Sequence, residues 1–199
     1  MDAFGDAVIL CGGKSSRMGF DKSLLKIDGE YVIDIMARKL GGVFARVSLG
    51  TAPDRGQETL PDRDKFGQFG LPIIEDIYEA GPAGAIHAAL ACAQSRYVFV
   101  VAVDMPLINI HHIQHMMDMV DGDALIPMNN GHAEPMYGFY STAALPIFEQ
   151  EIAKDNLTIY KILAKLNTAY FDEAASRRFD PELSMFTNLN YIEDLEVLA

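Results

Sequence analysis

Hydrophobic and polar positions alternate along the chain in two rhythms. Short, nearly unbroken apolar runs at Ala7–Leu10, Val47–Leu49, Pro72–Ile74, Tyr97–Val103, Ala124–Ile126 and Met136–Tyr140 predict strands. Between them, Ile33–Leu40, Pro82–Ala93, Ile110–Val120, Ala143–Ala153 and Thr158–Leu166 carry apolar residues at helical spacing. Strands that are apolar on both faces and alternate with helices predict an α/β fold, a mostly parallel sheet covered on each side. With 199 residues and no internal repeat or low-complexity segment, one domain over 1–199 is expected. Thr51–Gly70, "TAPDRGQETLPDRDKFGQFG", breaks the rhythm and predicts a surface loop with a single helical turn inside it.

In such sheets ligands sit beyond the carboxyl ends of the strands, so the strand ends are where chemistry is sought. The first, "AVILCGGKSSRMGFDKSLL" over residues 7–25, runs from apolar strand into glycines and cations. Lys14, Arg17 and Lys22 among Gly12, Gly13 and Gly19 suit a phosphate-bearing ligand better than a merely solvated turn. It is not a Walker A loop, since Val8 stands where that motif needs glycine five residues before Gly13. Nor is it the G-x-G-x-x-G dinucleotide fingerprint, which Gly12, Gly13 and Gly19 cannot supply. A second strand ends at Glu75-Asp76 and is followed by "AGPAGAIHAAL", with Pro82 at a helix start and Gly81 and Gly84 bare enough for a flat ring to approach. The third, "YVFVVAV", ends in Asp104-Met105-Pro106. A helix cap would explain Asp104, but the next helix begins nearer Asn109, so a functional carboxylate beside a hard divalent cation is favoured.

Composition narrows the ligand. A net charge of −12 with only a local basic loop argues against nucleic acid and for a small anionic ligand. No apolar run approaches the roughly 20 residues of a membrane span, and Met1-Asp2 carries no basic leader, so a cytoplasmic protein off the membrane is expected. Cys11 and Cys92, far apart in unlike contexts, are expected as reduced, buried thiols.

Taken together, "LCGGKSSRMGFDK", "GPAGAI", "VDMPLI" and "FTNLNYIEDL" resemble the MobA-type molybdenum cofactor guanylyltransferases. Leu10 to Lys22 match every fixed position of that family's L-x-G-G-x-S-x-R-M-G-x-D-K, and the likeness runs collinearly from residue 7 to about 195. The resemblance implies a Rossmann-like three-layer nucleotidyltransferase domain with a mostly parallel mixed sheet. It implies transfer of GMP from Mg-GTP to molybdenum-bearing molybdopterin, giving molybdopterin guanine dinucleotide and pyrophosphate. Carried over by position, Leu10, Cys11, Gly12 and Gly13 would meet the guanosine, and Lys22 with Arg17 the phosphates. Asp76 would contact nucleotide, Asp104 would hold Mg2+, and Asn188 and Asn190 would lie near the pterin. Other cofactor-biosynthesis proteins or apo-molybdoenzymes are the implied partners. An ionised phosphate as nucleophile needs no general base, which agrees with the lack of a Ser-His-Asp or Cys-His arrangement.

The chain departs from the family pattern at four places. Cys11 stands for a usual alanine, and Gly50 for an asparagine that contacts nucleotide. Tyr191-Ile192-Glu193 replaces Thr-Pro-Glu, and "KDNLTIYK" lacks the arginine common near the late helix. Rival readings are a molybdopterin cytidylyltransferase, which usually shows A-A-G at Cys11-Gly12-Gly13, another nucleotidyltransferase of the same fold, or a non-catalytic carrier of finished cofactor. His111, His115 and Asp118 share a helical face, but without a fourth ligand they read as an exposed polar face over a Met116, Met117 and Met119 core stripe. His132 and Glu134 read as turn residues that could touch the pterin, and Arg177-Arg178 as a solvated pair.

Overall fold

A computed structural model describes residues 3–11, 24–52 and 62–189. Strand β1 (Phe4–Leu10) is followed by a small hairpin, β2 (Lys26–Ile27) and β3 (Glu30–Tyr31), which turns at Asp28 and Gly29 and leads into α1 (Val32–Leu40). β4 (Arg46–Thr51), α2 (Asp62–Gly67), β5 (Ile73–Glu75), α3 (Pro82–Ala91) and β6 (Tyr97–Ala102) come next. Then follow α4 (Ile110–Met117), β7 (Ala124–Asn129), β8 (His132–Ala133) and β9 (Tyr137–Ser141). The chain finishes with α5 (Leu145–Ala153), α6 (Ile159–Leu163), β10 (Thr168–Phe171) and α7 (Glu173–Ser176), before a 3-10 turn at Ser184–Phe186.

The main sheet runs β10-β7-β9-β6-β1-β4-β5, with β8 paired to β7. β1 is parallel to both β4 and β6, Leu10 standing between Gly50 and Ala102. β9 alone among the strands along that order is antiparallel to its neighbours, β6 and β7. The expected mostly parallel, mixed α/β sheet is therefore present. Its strands alternate between two cores, as a sheet buried on both faces must. Ala7, Ile9, Phe99 and Val101 face a core shared with Ile33, Met36 and Ile113. Val8, Leu10, Val98 and Val100 face a second core with Ile86, Phe148 and Ile162.

After β5 the chain crosses back over β1 to form β6 on its other side, so the order reverses between β1 and β6. In such folds the crevice outside the carboxyl ends of the strands at that reversal is the usual ligand position. Elements also differ from expectation. β10 lacks a strong apolar signal because it is an edge strand burying Phe171 alone, with Tyr170 53% exposed. α4 stops at Met117, and Met119 is exposed instead of completing a core stripe. Cys11 and Cys92 are not joined in a disulfide, as expected, but they are not both buried: Cys92, capping the end of α3, is exposed and Cys11 is half-buried. Within the 51–70 segment the expected helical turn is α2; residues 53–61 lie outside those described.

Candidate active site

Two backbone clasps pin the first strand end. The Cys11 amide donates to the Gly50 carbonyl at 2.7 Å, and the Val103 amide donates to the Leu10 carbonyl at 3.0 Å. Leu10 and Cys11 thus sit at the reversal point, between the ends of β4 and β6. A Cβ at position 50 would lie 2.6 Å from the Leu10 side chain, so the family's asparagine could not be placed there without moving Leu10. Gly12, Gly13, Arg17, Lys22 and Asn190, five of the expected site residues, lie outside the described residues.

Asp76 follows β5 and is buried. Its Oδ1 accepts from the Tyr78 amide at 2.8 Å, and burial, the largest influence, raises its pKa above the ordinary value. The carboxylate lies against the bare face of Gly84, where an added Cβ would collide with it. What approaches Gly84 is therefore Asp76 and not a flat ring. Gly81, at φ 59°, caps α3 in a conformation that disfavours side chains and has open space beside it. Asp76 and Gly84 together fix the turn that starts α3 beside the crevice.

Asp104 is half-buried just past β6, the strand paired with β1, which Cys11 follows. It does not cap α4: that role belongs to Asn109, whose Oδ1 accepts from the His112 amide at 3.1 Å. The Asp104 carbonyl instead accepts from the Leu189 amide at 2.7 Å. This bond brings Asn188, an exposed residue 84 positions later in sequence, to the same end of the sheet, with Leu189 buried as the anchor. A further carboxylate, Glu134, sits close enough to Asp104 for the two charges to repel. Burial is the largest influence raising the Glu134 pKa. The sequence offered Glu134 as a turn residue; its proximity to Asp104 depends on the β7–β8 hairpin folding back, which no local motif announces.

Other expectations resolve away from the crevice. His111 and His115 are exposed, whereas their neighbour His112 is fully buried among Tyr137, Phe171, Phe179 and Phe186. Its Nε2 shares a 3.0 Å hydrogen bond with Ser176 Oγ, and burial first, then the nearby His115, lowers its pKa to about 4. His132 is exposed on the hairpin. Arg177 is not a solvated cation: it bonds Glu173, Asn130 and the Pro181 carbonyl.

Residues 7–169 match the family model described as MobA-like NTP transferase domain. The chain belongs to this family. It is 37% identical, over 96% of its own length and 87% of the relative's, to a protein of Peptoclostridium acidaminophilum named probable molybdenum cofactor guanylyltransferase. It is 34% identical, over 97% of itself and 90% of the relative, to the molybdenum cofactor guanylyltransferase of Syntrophotalea carbinolica. Among solved structures it resembles molybdopterin-guanine dinucleotide biosynthesis protein A from Archaeoglobus fulgidus, with a TM-score of 0.79, 26% identity and coverage of 96% and 95% of the two chains. The fold class expected from the alternating rhythm is therefore that of the MobA-like nucleotidyltransferases.

Proposed function

We propose that this chain is a single nucleotidyltransferase domain that transfers GMP from GTP to a phosphate of molybdenum-bearing molybdopterin. The products are molybdopterin guanine dinucleotide and pyrophosphate. The observation that carries the reading is the crevice at the strand-order reversal, in a chain whose relatives are named guanylyltransferases. It sets Leu10 and Cys11 on one bank and Asp104, with Asn188 beside it, on the other.

On the donor bank, Leu10, Cys11, Gly12 and Gly13 bind the guanosine, and Asp76 contacts the nucleotide. Arg17 and Lys22 neutralise the triphosphate. On the other bank Asp104 presents carboxylate oxygens beside a second carboxylate, Glu134, an oxygen-rich and anionic setting that suits a hard divalent cation. Asp104 would hold Mg2+, and when bound the ion supplies positive charge to the phosphates. Asn188 and Asn190 orient the acceptor. An oxygen of the acceptor phosphate, already ionised at neutral pH, forms the new bond to the α-phosphorus. The bond from that phosphorus to the bridging oxygen breaks, and its electron pair leaves with pyrophosphate. Catalysis then consists of alignment and charge compensation, without a general base. The same reading places the protein in the cytoplasm, handing its product to other cofactor-biosynthesis proteins or apo-molybdoenzymes.

The test is pyrophosphate release by the purified protein with GTP, CTP or ATP and molybdenum-bearing molybdopterin. GTP turnover that requires the acceptor is expected. Faster turnover with CTP would move the protein to the cytidylyl class, and binding of finished cofactor without any turnover would make it a carrier.

A further inference from the structure

The acceptor bank is built from two segments distant in sequence. One is the β7–β8 hairpin, which turns at Asn130 (φ 49°) and Gly131 (φ 78°) and leads to Glu134. The other runs from Pro181 to Leu189, where it is tied to Asp104. Neither is covered by a long helix, yet both meet one ion pair on α7. The Arg177 Nε and Nη2 donate to Glu173 Oε1 at 3.1 and 2.8 Å, so the pair is rigid in itself. The remaining polar atoms reach outward. Arg177 Nη1 donates to the Pro181 carbonyl at 2.6 Å, and Nη2 donates to Asn130 Oδ1 at 3.3 Å. Glu173 Oε2 accepts from the Gly131 amide at 3.0 Å. Both partners are half-buried, and the contact spans 47 residues to the hairpin.

An isolated surface pair of this spacing contributes little to stability. Here Arg177 instead spends its spare donors on both segments of the bank, Pro181 and Asn130, while Glu173 adds a second bond to the hairpin at Gly131. A planar guanidinium with donors in a fixed fork can do this, whereas a lysine ammonium, a single point of charge, cannot hold three acceptors in that geometry. We propose that Glu173 and Arg177 form a positioning clamp that sets the separation of the hairpin and the 181–189 segment, and thereby the fit of the acceptor but not of GTP. The clamp rests on the proposed acceptor-binding role of this bank. Arg177 and Glu173 themselves touch neither substrate: they act through Asn130, Gly131 and Pro181.

The test pairs amide exchange with steady-state kinetics on the full chain, for wild type, Arg177→Lys and Arg177→Gln. Exchange should quicken by about tenfold at Gly131 and along 181–189 in Arg177→Gln, with α3 and β1 unchanged. The KM for molybdopterin should rise by roughly three- to tenfold while kcat and the GTP dissociation constant stay within about twofold. Arg177→Lys should fail to restore either readout although it keeps the charge. Unchanged exchange at Gly131, rescue by lysine, or an equal loss of GTP affinity would each overturn the clamp. Quickened exchange in a protein whose wild type transfers no GMP to molybdopterin would support the mechanical clamp while overturning the acceptor reading beneath it.

Discussion

The two banks of the crevice are built by opposite means. The donor bank is built into the sheet: β1 and Cys11 are clasped by the ladders to β4 and β6, and the turn at Asp76 by contacts a few residues apart, such as Asp76 to Tyr78 and to Gly84. The acceptor bank is assembled from afar. Leu189 reaches Asp104 and Glu173 reaches Gly131 across 42 residues. From the other side Tyr160 Oη donates to the Ala133 carbonyl at 3.0 Å. A bank made of consecutive residues leaves a readable motif, whereas one made of tertiary contacts leaves scattered polar residues that look solvated.

That difference accounts for what was legible. The parallel sheet could be read because strands buried on both faces must be apolar throughout; of the Asp104 reading, what the structure bears out is that Asn109 and not Asp104 caps α4. β10 could not, since an edge strand that buries only Phe171 carries almost no period. Arg177 was misread because nothing in "ASRRFD" tells which arginine finds Asn130 and Pro181. His112 was passed over for its neighbours because three histidines within five residues look alike until one is placed against Phe171 and Ser176. Gly84 was read with the right need, space for a close approach, and the wrong visitor.

The comparison can be broken first where the banks meet. Asp104→Asn keeps the size of the side chain and the backbone bond to Leu189, but removes the charge proposed to hold the cation. GMP transfer should fall by about two powers of ten or more, roughly 3 kcal/mol of barrier. The melting temperature of the free protein is measured alongside, so that lost turnover in a folded chain reports the missing charge. Near-normal turnover would remove Asp104 from the mechanism and leave the crevice without a centre.

A second effect belongs to the acceptor bank through pH. His112 is buried neutral, with a pKa lowered from 6.5 to about 4 chiefly by burial. The unfolded chain binds this proton more readily, so the stability linked to His112 is fully present above about pH 6.5 and is lost as pH falls towards 4. The loss should amount to about 3 kcal/mol over that window. Because the ring joins α4 to α7 through Ser176 and packs on Phe186, amide exchange along 173–189 should rise on acidification before that of β1. His112→Phe should flatten the acid limb of a plot of melting temperature against pH. An unaltered limb would assign the acid loss to other groups.

Gly84→Ala strikes the donor bank alone. The new Cβ would meet the Asp76 carboxylate, and the buried turn has little room to yield. A destabilisation of about 1–3 kcal/mol is expected, together with weaker GTP binding as Asp76 is displaced. Exchange at Gly131 and Leu189 should not change. If the acceptor bank loosened equally, the two banks would be one cooperative unit and the contrast drawn between them would fail.

The smallest expected effect is the sharpest on the acceptor side. Asn188 is exposed, while the burial of Leu189 and its bond to Asp104 hold the backbone in place beside it. Asn188→Ala therefore leaves the segment anchored at Leu189 and removes the side-chain amide proposed to orient the acceptor. One hydrogen bond to the acceptor is worth about 1 kcal/mol, so the KM for molybdopterin should rise by about fivefold. GTP bound at the opposite bank should raise the melting temperature as much as in wild type, since that shift reports nucleotide affinity alone. A loss of GTP stabilisation with an unchanged acceptor KM would put Asn188 on the nucleotide and reverse the assignment of the two banks.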